Sequence, residues 1–125
     1  MKKLLWIGLA GAAGAIMRVL VGQAVPNVAG FPISTLTVNV IGTFLLCFII
    51  AGVFRTLSAH KDVQDIVTTG FLGSFTTFSA LSVETLLLVE SNQFILAGLY
   101  VLCSIIGGLS VGALGFRLGG KQVRT

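Results

Sequence analysis

The sequence predicts an all-α integral membrane protein with four transmembrane helices and almost no soluble part. Of its 125 residues, 55% are hydrophobic and only 10% are charged, and the mean hydropathy is +1.03. A soluble domain carries roughly 25% charged residues, because its surface faces water. At about 20 residues per crossing, the length suffices for four or five spans and no further domain. We therefore expect a single transmembrane domain over residues 1–125.

Four apolar stretches follow one another along the chain. The first covers about 4–25, ends at Pro26-Asn27 and is longer than the apolar part of a signal peptide. The second covers about 34–54 and precedes the largest polar connection, 55–65. The third covers about 66–89, and a tight turn at 90–92 leads into the fourth, about 94–118. Each stretch predicts one transmembrane helix.

The basic residues predict the orientation of these helices. Four spans put both termini on one side, and seven of the eight Lys and Arg residues lie on that side: Lys2, Lys3, Arg55, Lys61, Arg117, Lys121 and Arg124. Neither loop on the opposite side contains Lys or Arg. By the positive-inside rule, we expect a multi-pass protein of the cell (plasma) membrane with both termini in the cytoplasm.

Several function classes are excluded by the same residues. The net charge of +4 does not indicate nucleic-acid binding, because the cations lie at segment ends without interleaved aromatic residues. Cys47 and Cys103 lie within apolar runs and predict no disulfide framework. His60 has no neighbours suited to a metal site, and no catalytic constellation is present, so we do not expect an enzyme.

Polar groups inside the apolar stretches are the functional candidates, because hydrocarbon excludes them. Burying the Arg18 guanidinium costs at least about 2.5 kcal/mol, so it either snorkels to the interface or faces a water-filled vestibule that attracts anions. Glu84 is the carboxylate that could be buried, and it could pair with Arg18. The Asn39 amide, with Thr35 and Thr43 on the same helical face, could solvate an ion or join two helices.

The third and fourth stretches contain further candidates. Gly70 and Gly73, followed by hydroxyls at 76, 77 and 79, favour either a break in the helix or hydroxyl bonding within an intact one. Phe75 and Phe78, one turn apart, could pack or turn their positive ring edges to an anion. In the fourth stretch, residues at four-residue spacing form one face that could be a packing seam or a pore lining: Tyr100, Ser104, Gly108 and Gly112.

Three runs of residues form a recognisable set: 11–18 (GAAGAIMR), 35–44 (TLTVNVIGTF) and 70–79 (GFLGSFTTFS). Together with the order of the spans and the total length, they resemble the Fluc, or CrcB, family of fluoride channels. The resemblance implies a passive, fluoride-selective channel subunit that exports cytoplasmic fluoride and relieves its toxicity. Hydrogen fluoride would enter from acidic surroundings and dissociate inside, and the trapped anion would leave down its gradient.

The same resemblance implies an antiparallel (inverted-topology) dimer whose third helix is broken at mid-membrane. Two fluoride pores would run along the subunit interface. The backbone carbonyls of Gly73 and Thr76 match those that hold a structural Na⁺ at that interface. Asn39 matches the pore amide, Phe78 the first pore phenylalanine, and Tyr100 and Ser104 the start of a polar track. The predicted ion pathway is Arg18, Asn39, Phe75, Phe78, Ser79, Tyr100 and Ser104.

Two features depart from the family pattern. The second pore phenylalanine falls three positions after the first, where this chain has Leu81, and Gly108 and Gly112 replace hydroxyls of the polar track. The one-sided distribution of basic residues also predicts insertion in a single orientation, whereas an antiparallel homodimer needs both. We therefore expect a dimer with an inverted homologous subunit rather than with a second copy.

Two alternative functions remain at this stage. A small four-span exporter of cationic drugs or guanidinium also pairs antiparallel, but it needs a buried carboxylate in the first span, where this chain has Arg18. A non-conducting assembly subunit of a larger membrane complex is the other alternative.

Overall fold

The computed structural model describes residues 1–123, and these form long helices joined by short turns. Helix α1 is Lys2–Ala24, α2 is Ile33–Thr56, and the fourth span is α5, Phe94–Gln122. The third span consists of α3, residues 61–75, and α4, Phe78–Glu90. Within the described residues, four spans are long and apolar enough to cross a membrane, which confirms the predicted all-helical arrangement. Arg124, which was counted among the cations, lies outside the described residues.

Two spans extend beyond their expected ends. Helix α3 begins at Lys61 rather than near residue 66, and Asp62 lies in its first turn, where a negative charge is favourable. The Lys3 ammonium bridges Asp62 Oδ1 at 2.9 Å and Asp65 Oδ2 at 2.7 Å, which ties the start of α1 to the start of α3. Helix α5 continues to Gln122, past Lys121, which lies beyond the predicted end of the span near residue 118.

Close backbone contacts at glycine hold the helices in two pairs. Gly14 of α1 packs on the Phe71 backbone of α3, and a Cβ on Gly70 would lie 2.7 Å from the Ile7 carbonyl oxygen. Helices α2 and α5 meet in the same way, since a Cβ on Gly52 would lie 2.6 Å from the Gly119 carbonyl oxygen. Without a hydrophobic driving force in lipid, such close packing is a main source of helix association.

Two of the spans contain π-helical turns, Ile49–Val53 in α2 and Ile66–Leu72 in α3. Each turn widens the helix by one residue and lies where a glycine contact brings two backbones together, at Gly52 and at Gly70. One π-helical turn therefore lies in the contact between α2 and α5, and the other lies in the contact between α1 and α3.

The small core lies where α4, α5 and the loop between α1 and α2 meet. Tyr100 is fully buried there with Leu88 and Ala97, and the Phe31 ring packs edge-on against the Tyr100 ring at 5.6 Å. Most other large apolar side chains point outward. Such a surface is stable only against lipid or another apolar chain.

Candidate functional site

The third span is interrupted at two residues in extended conformation. Helix α3 ends at Phe75, Thr76 has φ −78° and ψ 154°, and Thr77 has φ −148° and ψ 118°. Helix α4 then begins at Phe78, with the Thr77 hydroxyl accepting a hydrogen bond from the Ala80 amide at 3.2 Å. This is an ordinary N-terminal threonine cap, so α4 begins as an independent helix.

Asn39 of α2 is bonded to this interruption by two hydrogen bonds. Its Nδ2 donates to the Thr77 carbonyl at 3.0 Å, and its Oδ1 accepts from the Thr77 amide at 2.7 Å. The Asn39 amide therefore satisfies both the N–H and the C=O of Thr77, as the backbone of a neighbouring β-strand would. A polar side chain was expected here from the sequence, but its partner, 38 residues away, was not.

The interruption removes helical donors from two carbonyl groups. In an unbroken helix the Thr77 amide would bond to Gly73 and the Ala80 amide would bond to Thr76. Here the first donates to Asn39 and the second to the Thr77 hydroxyl. The carbonyl oxygens of Gly73 and Thr76 thus lose their usual partners, and oxygen ligands of this kind suit a hard cation.

Next to these carbonyls lies an open cavity of about 290 Å³. Its lining combines the polar groups of Asn39 and Thr43 with Phe78 and Leu81. The Phe78 side chain is 79% exposed, so its ring is not used for packing within the subunit. Gly73 and Thr76 line the same cavity.

A second cavity, of about 440 Å³, is lined by Arg18 and also by Thr77. Four hydroxyl residues line it, Ser34, Thr35, Thr77 and Ser79. The Thr77 and Ser79 hydroxyls are 3.1 Å apart. Arg18 is half-buried and forms no ion pair within the described part of the chain. Thr77 lines both cavities, so it is the residue that they share.

Glu84 does not pair with Arg18 and instead accepts hydrogen bonds from two hydroxyl groups. Its Oε1 accepts from the Thr35 hydroxyl at 2.7 Å, and its Oε2 accepts from the Tyr100 hydroxyl at 2.6 Å. We refer to Thr35, Glu84 and Tyr100 as the Glu84 triad. It joins α2, α4 and α5, and no spacing in the sequence indicated that these three side chains would meet.

The remaining predicted pathway residues lie apart from the two cavities. Phe75 is 4% exposed and its ring stacks on the Phe71 ring, with centroids 6.2 Å apart. The Ser104 hydroxyl donates to the Tyr100 carbonyl of its own helix at 2.8 Å. Among residues 1–123, the cavities therefore bring together Arg18, Asn39, Phe78 and Ser79, while Phe75, Tyr100 and Ser104 line neither.

Thr77 is a site residue that sequence analysis named only as one hydroxyl among several and left out of the predicted pathway. The signal for it was present, because a threonine directly before an apolar helical run is a typical helix cap. Its second role, as the backbone partner of Asn39, depends on the packing of α2 against the third span and left no local signal.

Comparison with known proteins identifies the family. The model of the family described as "CrcB-like protein, Camphor Resistance (CrcB)" matches residues 5–116. A protein of Bacillus anthracis named "Fluoride-specific ion channel FluC 1" is 42% identical over 123 residues, which cover 95% of this chain and 90% of that protein. A relative of the same name from Desulfitobacterium hafniense is 43% identical, covering 89% and 96% of the two chains.

A third relative, "Fluoride-specific ion channel FluC" of Oceanobacillus iheyensis, is 41% identical over 94% of this chain and 92% of its own length. The chain belongs to the CrcB-like family. The family match covers the whole of the site, from Arg18 in α1 to Ser104 in α5. The CrcB-like chain is thus a multi-pass membrane protein, as the sequence predicted.

Proposed function

We propose that this CrcB-like chain is a subunit of a passive fluoride-selective channel that exports cytoplasmic fluoride and so relieves its toxicity. The observation that carries the proposal is the pair of cavities that share Thr77 in their lining, one with Asn39 and the exposed Phe78 ring and the other with Arg18. The names of the relatives, all fluoride-specific channels, point the same way. The activity is transport, and no bond needs to be made or broken.

The chemistry of the lining suits a small anion. Fluoride is strongly hydrated, so a pore must replace water with hydrogen-bond donors that do not hold the ion too tightly. The Asn39 amide, the Thr77 and Ser79 hydroxyls and the positive edge of the Phe78 ring are neutral groups of this kind. Arg18 would raise the local concentration of anions in the cavity before the pore. The pathway proposed from the sequence also includes Phe75, Tyr100 and Ser104.

A structural Na⁺ fits the carbonyls at the interruption, which we propose to be a break at mid-membrane. Gly73 and Thr76 would each supply a backbone oxygen, and both have lost their helical donors. When bound, the cation would compensate the exposed carbonyl dipoles there. One chain offers two such oxygens, fewer than a hard cation normally takes, so a second subunit is needed to complete the shell.

A second subunit is also needed to cover the polar cavities. We propose an antiparallel dimer with two pores at its interface, in the plasma membrane and with both termini of this chain in the cytoplasm. Leu81, which lines the Asn39 cavity, offers hydrocarbon where a ring edge would interact with the anion. Together with the one-sided cations, this favours an inverted homologous subunit as the partner over a second copy.

The decisive experiment is fluoride efflux from proteoliposomes that contain the purified chain, measured with a fluoride electrode and with chloride as the control anion. We expect selective efflux when an inverted homologue is co-reconstituted and little or none from the chain alone. Efflux from the chain alone would support the proposed channel function and contradict the proposal that the channel is a heterodimer. Silence of both preparations, with protein that remains dimeric and folded, would contradict the proposed function and favour a non-conducting assembly subunit.

Replacing Na⁺ during purification tests the cation separately. Exchange of Na⁺ for a large organic cation should lower the thermal stability of the dimer and slow its efflux, and restoring Na⁺ should reverse both effects. An unchanged dimer in the absence of Na⁺ would contradict the cation site without affecting the channel proposal.

A further inference from the structure

A basic cavity of about 620 Å³ lies where α2 and α5 end, at the terminus-bearing side of the molecule. Three cationic side chains line it, Arg55 from α2 and Arg117 and Lys121 from α5. The rest of the lining is apolar or glycine: Leu114, Phe116, Leu118 and Gly120. We call these seven residues the basic cavity. None of them belongs to the pathway described above.

A close helix crossing holds the cations of the basic cavity together. A Cβ on Gly119 would lie 2.5 Å from the Phe48 carbonyl oxygen and 3.1 Å from the Gly52 amide nitrogen. Arg55 follows Gly52 by three residues, and Lys121 follows Gly119 by two, so both side chains leave the helices just past the crossing. Because the crossing leaves no room for a side chain, the helices cannot slide apart to separate the charges without breaking this contact.

Within residues 1–123, no carboxylate forms an ion pair with the cations of the basic cavity. The ion pairs of the described residues all involve Lys3 at the start of α1, and none involves Arg55, Arg117 or Lys121. Arg117 and Lys121 are four residues apart on one helix face, a spacing at which like charges destabilise a helix. An anion bound between them would relieve this repulsion.

We propose that the basic cavity binds the headgroup of an anionic phospholipid from the adjacent leaflet. The three cations would contact the phosphate, and Leu114, Phe116 and Leu118 would pack against the upper part of the acyl chains. Basic pockets between transmembrane helices are suited to such headgroups, particularly on the cytoplasmic side. A free inorganic anion would contact only the cationic side chains of the lining, whereas a phospholipid would contact both the cationic and the apolar side chains.

The test compares lipid retention by the full-length chain in nanodiscs of equimolar phosphatidylcholine and phosphatidylglycerol. After gentle detergent extraction, native mass spectrometry counts the lipids that remain bound. We expect the wild type to retain phosphatidylglycerol in preference to phosphatidylcholine. The variant R117Q/K121Q should bind phosphatidylglycerol about 30-fold more weakly, since each cation near an anionic lipid contributes roughly fivefold.

The matched control is K2Q/K61Q, which removes two exposed cations from the same side without touching the basic cavity. It should retain phosphatidylglycerol like the wild type, and equal loss from both variants would overturn the proposal in favour of diffuse surface attraction. Absence of any preference for phosphatidylglycerol would overturn it as well. So would release of the lipid by inorganic phosphate or fluoride but not by chloride at equal ionic strength, because the cavity would then be a site for small anions.

Discussion

At the scale of single residues, the site depends on side chains that satisfy the backbone of the interrupted third span. Asn39 supplies both a donor and an acceptor to Thr77, and the Thr77 hydroxyl caps α4. In the apolar interior of a membrane protein, each of these groups would otherwise be left without a partner. The same residues line the proposed anion path, so their structural and transport roles are coupled.

Replacing Asn39 with Ala should both destabilise the chain and remove fluoride efflux. Two hydrogen bonds to a part-buried backbone are lost, for which we expect about 2 kcal/mol in an SDS unfolding titration. Asn27→Ala is the matched control, because Asn27 also makes two hydrogen bonds, to Ser34, but at an exposed position. If Asn27→Ala lowered stability and efflux as much as Asn39→Ala, this would contradict a specific stabilisation of the interruption by the Asn39–Thr77 hydrogen bonds.

Tyr100→Phe tests the Glu84 triad, because it removes one hydroxyl and keeps the ring that fills the core. The Glu84 carboxylate would lose a donor at 2.6 Å, and we expect a destabilisation of about 2 kcal/mol, typical of a hydrogen bond to a charged group. Ser82→Ala serves as the control, since that exposed hydroxyl bonds only to the Phe78 carbonyl of its own helix. A variant Tyr100→Phe as stable as the wild type would show that the Tyr100 hydroxyl contributes nothing to folding.

At the scale of secondary-structure elements, glycine contacts determine which helices pair. Helix α1 lies against α3 and helix α2 against α5, although the chain order would equally allow α1 to pair with α2 along its length. Each pair meets backbone to backbone at small residues, which is where dispersion contacts between helices are densest in lipid. The turn at Ser91 and Asn92, with Asn92 at φ 58°, then returns the chain for α5.

Gly14→Ala should separate α1 from α3, because a methyl group at this position would overlap the Phe71 carbonyl group. Backbone atoms cannot move aside as a flexible side chain can, so we expect a loss of about 2 kcal/mol or more. Gly8→Ala, in the same helix, puts no atom other than the backbone of its own helix within 4 Å of the new methyl group, so it should be neutral or slightly stabilising. Equal unfolding midpoints in SDS for the two variants would contradict this packing.

At the scale of the whole molecule, the distribution of basic residues underlies the proposed orientation, and the exposed apolar surface indicates the environment. Most large apolar side chains outside the small core face outward, as expected for a multi-pass membrane protein. The polar cavities also open on the outside of the single chain, which is why we propose that a second subunit covers them.

The proposed single orientation can be measured with a cysteine introduced at Ser91 in a variant whose Cys47 and Cys103 are replaced by serine. The α4–α5 turn should react with a membrane-impermeant maleimide only from outside the cell, because the proposed orientation puts both termini inside. A cysteine at Ser58, in the loop between α2 and α3, is the control and should react only from inside. Reaction of Ser91→Cys from both sides would contradict single orientation and favour a homodimer.

The spans could be predicted from the sequence because lipid imposes the same two requirements along every span. Backbone hydrogen bonds must be made within the helix, and the side chains must be mostly apolar. Composition and length therefore determined the number of helices and the all-helical fold. Arg18 and Asn39 could be selected because they break that rule, and the order of three short motifs indicated the family.

The partners of these polar residues were decided only by tertiary structure. Glu84 bonds to Thr35 and Tyr100 rather than to Arg18, and Asn39 bonds to the Thr77 backbone. These contacts join residues from different helices, and their choice depends on how closely glycine contacts allow the helices to approach. Periodicity along one helix predicts which residues share a face. Which faces meet depends on packing between helices, and this is a property of the folded molecule.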